Sequence, residues 1–179
     1  MSAPVVLLCT GNAARSVMGG AALAAHLPNW QVSTAGTLVV EGQPMSWRTK
    51  AALDAVGLAA PEHRSRQATD ADLRHAALVI ALAPEHVHWV RRTQPGAAAR
   101  TGTLRRLARD LPDDAGPLSE RVAALGLAHV ELGDWEEVID PGGGDAEVFA
   151  NCAVEVVDLI ARLAPRLVGI HARSPFPPT

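Results

Sequence analysis

The segment Cys9-Thr10-Gly11-Asn12-Ala13-Ala14-Arg15-Ser16 sets a thiol and a guanidinium on either side of five mostly small residues. That spacing can close around one tetrahedral anion. Successive backbone N–H groups in a tight turn converge on such an anion, and a helix starting there adds positive partial charge. Gly11, Ala13 and Ala14 let the backbone approach closely, and the planar fork of Arg15 matches two phosphate oxygens. The same field favours an anionic sulfur at Cys9, to which Ser16 could donate a hydrogen bond. Cys9 is therefore the candidate nucleophile of a phosphoryl-transfer reaction. Thr10, Gly11, Asn12, Ala13, Ala14, Arg15 and Ser16 are the candidate phosphate-binding residues.

A phosphate ester departs as an alkoxide or phenoxide and needs a proton. Val138-Ile139-Asp140-Pro141-Gly142-Gly143-Gly144 offers a source: two apolar residues lead to a carboxylate, followed by a rigid proline and flexible glycines. Alone, an Asp-Pro pair reads as a surface turn. Beside Cys9 and Arg15 in one chain, Asp140 becomes the candidate general acid.

These residues need elements to position them. Val5 to Cys9 is an unbroken apolar run, as expected of a strand buried on both faces. Ser16 to Leu27 reads as helix, ended by Pro28, and Gln31 to Ala35 as a second strand closed by Gly36. Trp47 to Val56 has helical periodicity and stops at Gly57. Thr69-Asp70 caps a short helix over Asp72 to His75. Ala77 to Leu82 is a third strand, Pro84 opens a helix reaching about Arg92, and Thr101 to Leu104 supplies a fourth strand. Residues 110 to 134 begin as loop, with Leu118 to Leu127 as a helix candidate. Ala146 to Leu163 is a long amphipathic helix stopped by Pro165. Strand and helix alternate, so the fold class is α/β: one four-stranded parallel sheet, doubly wound, with helices on both faces. The loop after the first strand then lies beyond the carboxyl ends of the strands, where such sheets bind ligands. One domain spans 1–169, and 170–179 is a proline-rich tail expected to be extended.

The 179 residues are 48% apolar and 20% charged, with a formal net charge of -3. That balance suits a soluble globular domain and implies no general attraction to nucleic acid or anionic membrane. Val5 to Cys9 is too short for a membrane span or a signal-peptide core. Cys9 and Cys152 read as free thiols, so a reducing cytoplasm is the expected compartment. His86 and His88 flank Val87 on a helix, where residues two apart face different ways; no metal site is expected. Arg105, Arg106 and Arg109 read as a solvated face too small for nucleic acid.

The two chemical segments resemble the low-molecular-weight protein tyrosine phosphatase family: Leu-Leu-Cys-Thr-Gly-Asn-Ala-Ala-Arg-Ser at 7–16 and Val-Ile-Asp-Pro at 138–141. Ser33 to Thr37 and His63 to Thr69 resemble further family segments, and Phe149 sits where an aromatic is frequent. The resemblance implies a phosphotyrosine phosphatase I-like fold and a phosphocysteine intermediate on Cys9. It also implies Arg15 as transition-state ligand, Asn12 holding the strained loop, Ser16 stabilising the thiolate, Asp140 as acid and then base, and no metal or cofactor. The partners it implies are a phosphorylated protein or a small phosphate ester, with inorganic phosphate or a similar oxyanion in the loop.

The chain departs from the pattern at named positions. Ala14 stands where many members carry a second cysteine, Val17 replaces a proline, and Gly142 and Gly143 replace the tyrosines that often follow Asp-Pro. Trp47 is the candidate aromatic wall of the cleft in their place. Two other functions use the same loop: reduction of arsenate with an external small thiol, and anion binding without useful catalysis. Arsenate turnover with small thiols distinguishes the first, and saturable phosphate binding without hydrolysis the second.

Overall fold

The apolar run Val5–Cys9, buried along its whole length, forms strand β1 of the computed structural model, which describes residues 4–169. There follow α1 (Arg15–His26), β2 (Val32–Gly36), α2 (Trp47–Ala55), α3 (Asp70–His75), β3 (Leu78–Ala81) and α4 (Pro84–Thr93). A 3-10 turn (Pro95–Arg100) then leads to β4 (Thr101–Thr103), α5 (Leu104–Asp110) and α6 (Leu118–Ala123). A second 3-10 turn (Asp134–Glu136) precedes the long α7 (Ala146–Val168). The strands are all parallel in the order β2-β1-β3-β4, with Leu7 opposite Thr34 on one side and Ile80 on the other.

Side chains of β1 alternate between two cores, as the pleat requires. Val5, Leu7 and Cys9 pack with Met18 and Leu23 of α1, Leu53 of α2, Leu107 of α5 and Val156 and Ile160 of α7. Val6 and Leu8 face the opposite side, with Leu73 of α3 and Val90 of α4. This is the expected α/β/α layering. A Cβ on Gly19 would lie 2.5 Å from Leu7 Cδ2, so the bare glycine lets α1 lie against β1 just beyond the loop that joins them.

Three expectations need correcting. Pro165 does not stop the last helix, which runs on to Val168 and ends at Gly169 (φ 76°). A proline removes one donor, but the last turn is secured from outside: buried Arg121 donates to the carbonyls of Arg166 and Leu167, and also to those of Pro112 and Gly116. That contact also gives residues 110–134 a structural purpose, since their short helix α6 carries the arginine that caps α7. The helix candidate there ends at Ala123 rather than Leu127.

The third correction concerns the arginine cluster on α5, which is paired as well as solvated, Arg106 being largely buried while Arg105 and Arg109 stay open to solvent. Arg105 meets Glu155 at 2.6 Å, and Arg109 lies 3.8 Å over the Trp135 ring. Arg106 grips the fully buried Glu136 through Nε at 2.9 Å and Nη2 at 2.5 Å. Glu136 also accepts from Thr103 Oγ1 and the Gly133 amide. Burial opposes its charge, yet the hydrogen bonds from Arg106, Thr103 and Gly133 hold the carboxyl below its ordinary range. This clamp fixes the chain just before Val138. The proline-rich segment 170–179 lies outside the described residues.

His86, in the first turn of α4, is fully buried with Nε2 3.0 Å from Thr10 Oγ1. Burial, with Arg15 nearby, pushes its pKa down to about 3. The 3.2 Å approach of Nε2 to Glu85 is therefore a contact of a neutral ring, not an ion pair. The network assigns the proton to Nε2, which donates to Thr10, while Thr10 donates to Glu85. The unfolded chain takes up a proton at this position as pH falls through about 6.5 while the folded chain does not, so stability is retained at neutral pH and lost from there down to about pH 3. We expect roughly 2 kcal/mol to be lost between pH 8 and pH 5 on this account. Urea unfolding at the two values should show a shallower pH slope in His86→Gln than in the wild type; equal slopes would exclude His86 as the cause.

Candidate active site

β1 ends at Cys9 and α1 begins at Arg15, and the turn between them brings the sulfur and the guanidinium to one cavity of about 290 Å3, with Asp140 on its wall. The Ser16 hydroxyl is 3.0 Å from Cys9 Sγ. Because Ser16 Oγ also accepts from Asn12 Nδ2 at 3.0 Å, its own proton is free to point at the sulfur, and an anionic sulfur can only accept. Among the described residues, the amides of residues 11–16 donate to no backbone carbonyl, the α1 ladder starting with Met18 on Ala14. Gly11, Ala13 and Ala14 line the cavity, and amides left without backbone acceptors beside it suit an oxyanion.

Asn12 makes the loop possible. Its φ of 50° lies in the left-handed region, the one such non-glycine residue among those described, and asparagine tolerates it better than most residues. The strain, on the order of 1 kcal/mol or more, is met by bonds on every polar group of the side chain. Nδ2 donates to Ser16 and to Thr34 Oγ1, and Oδ1 accepts from the Arg66 amide. The Asn12 carbonyl accepts from His63 Nε2 at 2.7 Å and Ser65 Oγ at 2.9 Å. Gly36, at the end of β2, lies against the same loop: a Cβ there would sit 2.4 Å from the Thr10 carbonyl oxygen.

Arg15 is buried and held from three sides. It donates to the Val138 carbonyl at 3.1 Å, to Thr10 Oγ1 at 3.3 Å and to Asp140 Oδ2 at 2.6 Å. Val138 is in turn fixed by its own amide on the Leu82 carbonyl. Asp140 has a half-exposed side chain, and its second oxygen accepts from the Gly142 amide. The two ends of the chain thus meet across one ion pair.

The sequence-selected residues divide in two. Cys9, Gly11, Ala13, Ala14, Arg15 and Asp140 line the cavity, whereas Thr10, Asn12 and Ser16 support the loop. Trp47 is not the wall it was expected to be: it is 65% exposed and absent from the lining. Its neighbours Ser46, Arg48 and Thr49 line the cavity instead, with Phe149 from α7. Sequence reasoning missed this stretch because the capping signal of Ser46, which accepts from the Thr49 amide, marks a helix start without saying what it faces. His86 and the supporting pair His63 and Ser65 were missed for the same reason. The second thiol, Cys152, is pushed up to about 12 by burial, with Glu155 beside it, and is an inert packing group.

Residues 4–120 match the sequence profile of the low molecular weight phosphotyrosine protein phosphatases. A protein-arginine-phosphatase of Geobacillus stearothermophilus is 29% identical over 164 residues, covering 91% of this chain and 95% of that one. The solved structure of the YwlE arginine phosphatase from the same organism superposes with a TM-score of 0.72 at 28% identity, covering 90% of both chains. A low molecular weight protein tyrosine phosphatase from T. tengcongensis gives a TM-score of 0.71 at 26% identity, covering 90% of this chain and 97% of that one. Sequence, fold and the meeting of a thiol, an arginine and a carboxyl in one cavity agree: the chain belongs to the low molecular weight phosphotyrosine protein phosphatase family of cysteine-dependent phosphatases.

Proposed function

We propose that the chain removes the phosphoryl group of a phosphorylated protein side chain, phosphotyrosine above all, through a phosphocysteine on Cys9. The observation that carries this is that Cys9, Arg15 and Asp140 line one cavity, with Arg15 and Asp140 in direct contact. Arg15 and the free amides of the loop would hold the three non-bridging oxygens, where charge is stabilised during transfer. The Cys9 sulfur attacks phosphorus, the bond to the leaving oxygen breaks, and Asp140 supplies the proton that oxygen takes. Water then attacks the phosphocysteine, Asp140 accepts its proton, and inorganic phosphate leaves with the sulfur restored as thiolate.

The ion pair between Arg15 and Asp140 has a role in this cycle. It neutralises the guanidinium while the loop is empty. A phosphate dianion competes for Arg15 and would release the Asp140 carboxyl toward the leaving oxygen. No helix among the described residues is long and apolar enough to cross a membrane. Both cysteines are free thiols, which suits action in a reducing cytoplasm.

Phosphoarginine is the second reading. It is favoured by the arginine phosphatase relative that matches across nearly the whole chain, and by Gly142, which lines the cavity where a tyrosine often follows Asp-Pro in the family. Assaying phosphotyrosyl, phosphoseryl and phosphoarginyl peptides side by side decides between the readings. We expect phosphotyrosine to give the highest kcat/KM, and a higher value for phosphoarginine would transfer the assignment.

Cys9→Ser should abolish turnover of a generic aryl phosphate with the unfolding midpoint retained; wild-type turnover in that variant would refute nucleophilic catalysis. Asp140→Asn should lower kcat/KM, which reports the first and leaving-group-dependent step, by about 10²-fold or more for phenyl phosphate, a poor leaving group. The loss should be much smaller for p-nitrophenyl phosphate. Equal losses for both would argue that Asp140 acts only through Arg15.

A further inference from the structure

The cavity holds a second arginine that the chemistry above leaves unused. Arg48 lines it together with Cys9 and Arg15. Its position is set by the start of α2, where Ser46 caps the helix and Thr49 Oγ1 donates to the Ala13 carbonyl of the phosphate-binding loop at 3.1 Å. Arg48 lies between those two anchored residues.

Its surroundings differ from those of the other arginines that reach the interior. Arg66, Arg105 and Arg106 each meet a carboxylate, while Arg91, Arg100 and Arg121 donate to backbone carbonyls. Arg48 has no ion pair and no hydrogen bond among the described residues, and its Nε is buried without a partner. The guanidinium lies 5.2 Å from the Trp47 ring centroid, a contact that steadies a planar cation without neutralising it. The one carboxylate lining the cavity, Asp140, is occupied by Arg15 and the Gly142 amide. The wall formed by α2 therefore includes an arginine with no anionic partner beside the place for phosphate.

We propose that Arg48 binds a carboxylate of the substrate next to its phosphoryl group, so that the enzyme selects phosphorylated residues flanked by aspartate or glutamate. A bound acidic side chain gives the guanidinium the partner that the protein withholds. A planar fork partly shielded from water makes such a pair stronger than a surface ion pair. Exposed Trp47 steadies the cation from outside.

This inference rests on the phosphatase reading, and the test separates the two. Values of kcat/KM would be measured for the wild type, Arg48→Gln and Arg48→Lys. The substrates are p-nitrophenyl phosphate and three phosphotyrosyl peptides of equal length flanked by Glu, Ser or Lys. In the wild type we expect the order Glu, Ser, Lys, with about five- to tenfold between the first two, carried mainly by KM and weakened by added salt. Arg48→Gln should lose five- to tenfold more on the Glu peptide than on p-nitrophenyl phosphate, and Arg48→Lys should recover part of the preference. An unchanged peptide order in Arg48→Gln would overturn the inference. So would an equal loss on all four substrates, which would make Arg48 a ligand of the phosphoryl group itself. A wild type that hydrolyses none of the four substrates would instead overturn the reading beneath it.

Discussion

The left-handed backbone of Asn12 is the constraint from which the site follows. A chain leaving a parallel strand and entering a helix within five residues must reverse sharply. At Asn12 it does so in a conformation that a side chain disfavours unless its neighbours hold it. Those neighbours come from three places: Ser16 at the start of α1, Thr34 in β2, and the segment around His63, Ser65 and Arg66. With the turn held, the amides of residues 11–16 are left without backbone acceptors and Cys9 and Arg15 open on one cavity. A loop free to relax would offer its amides to water or to its own carbonyls, and the cavity would lose its field.

The carboxyl end of the molecule is brought to that loop by a different device. Glu136 is fully buried and held by Arg106, Thr103 and Gly133. Val138 follows, locked between the Leu82 carbonyl and Arg15. Asp140 therefore reaches Arg15 from a backbone held at Glu136 and Val138, with its own side chain half exposed. The stretch from 110 to 134 supports the same end of the chain through Arg121, which closes the last turn of α7.

The differences from the family pattern fall both at the phosphate-binding loop, at Ala14 and Val17, and at the outer cleft, at Gly142 and Gly143. Ala14 leaves Cys9 without a neighbouring thiol, and Cys152 is buried in α7 with its thiol pushed up to about 12. Around the cavity, Gly142, the capping Ser46 and the α2 residues Arg48 and Thr49 replace an aromatic wall, leaving Phe149 as the aromatic residue that lines it. The phosphate end is built for one chemistry, and the outer end is small, open and positively charged at Arg48.

Much of this was legible in the residues themselves. The apolar runs at Val5, Ala77 and the Thr101 segment, alternating with helical stretches, determined a parallel α/β sheet, because both periodicities are local properties of the chain. Cys9, Arg15 and Asp140 could be named because their residue types and turn-forming neighbours carry chemistry wherever they fold. What only the tertiary structure decided were contacts between distant segments: Asp140 on Arg15, Glu136 under Arg106, Arg121 on the end of α7, and Arg48 rather than Trp47 in the cavity wall. Pro165 shows the same limit, since its usual meaning as a helix stop was overridden by the packing and capping of the final turn. Local propensity sets what a segment prefers. Burial and charge pairing across the sheet choose which residue faces the site, and no spacing along the chain encodes that choice.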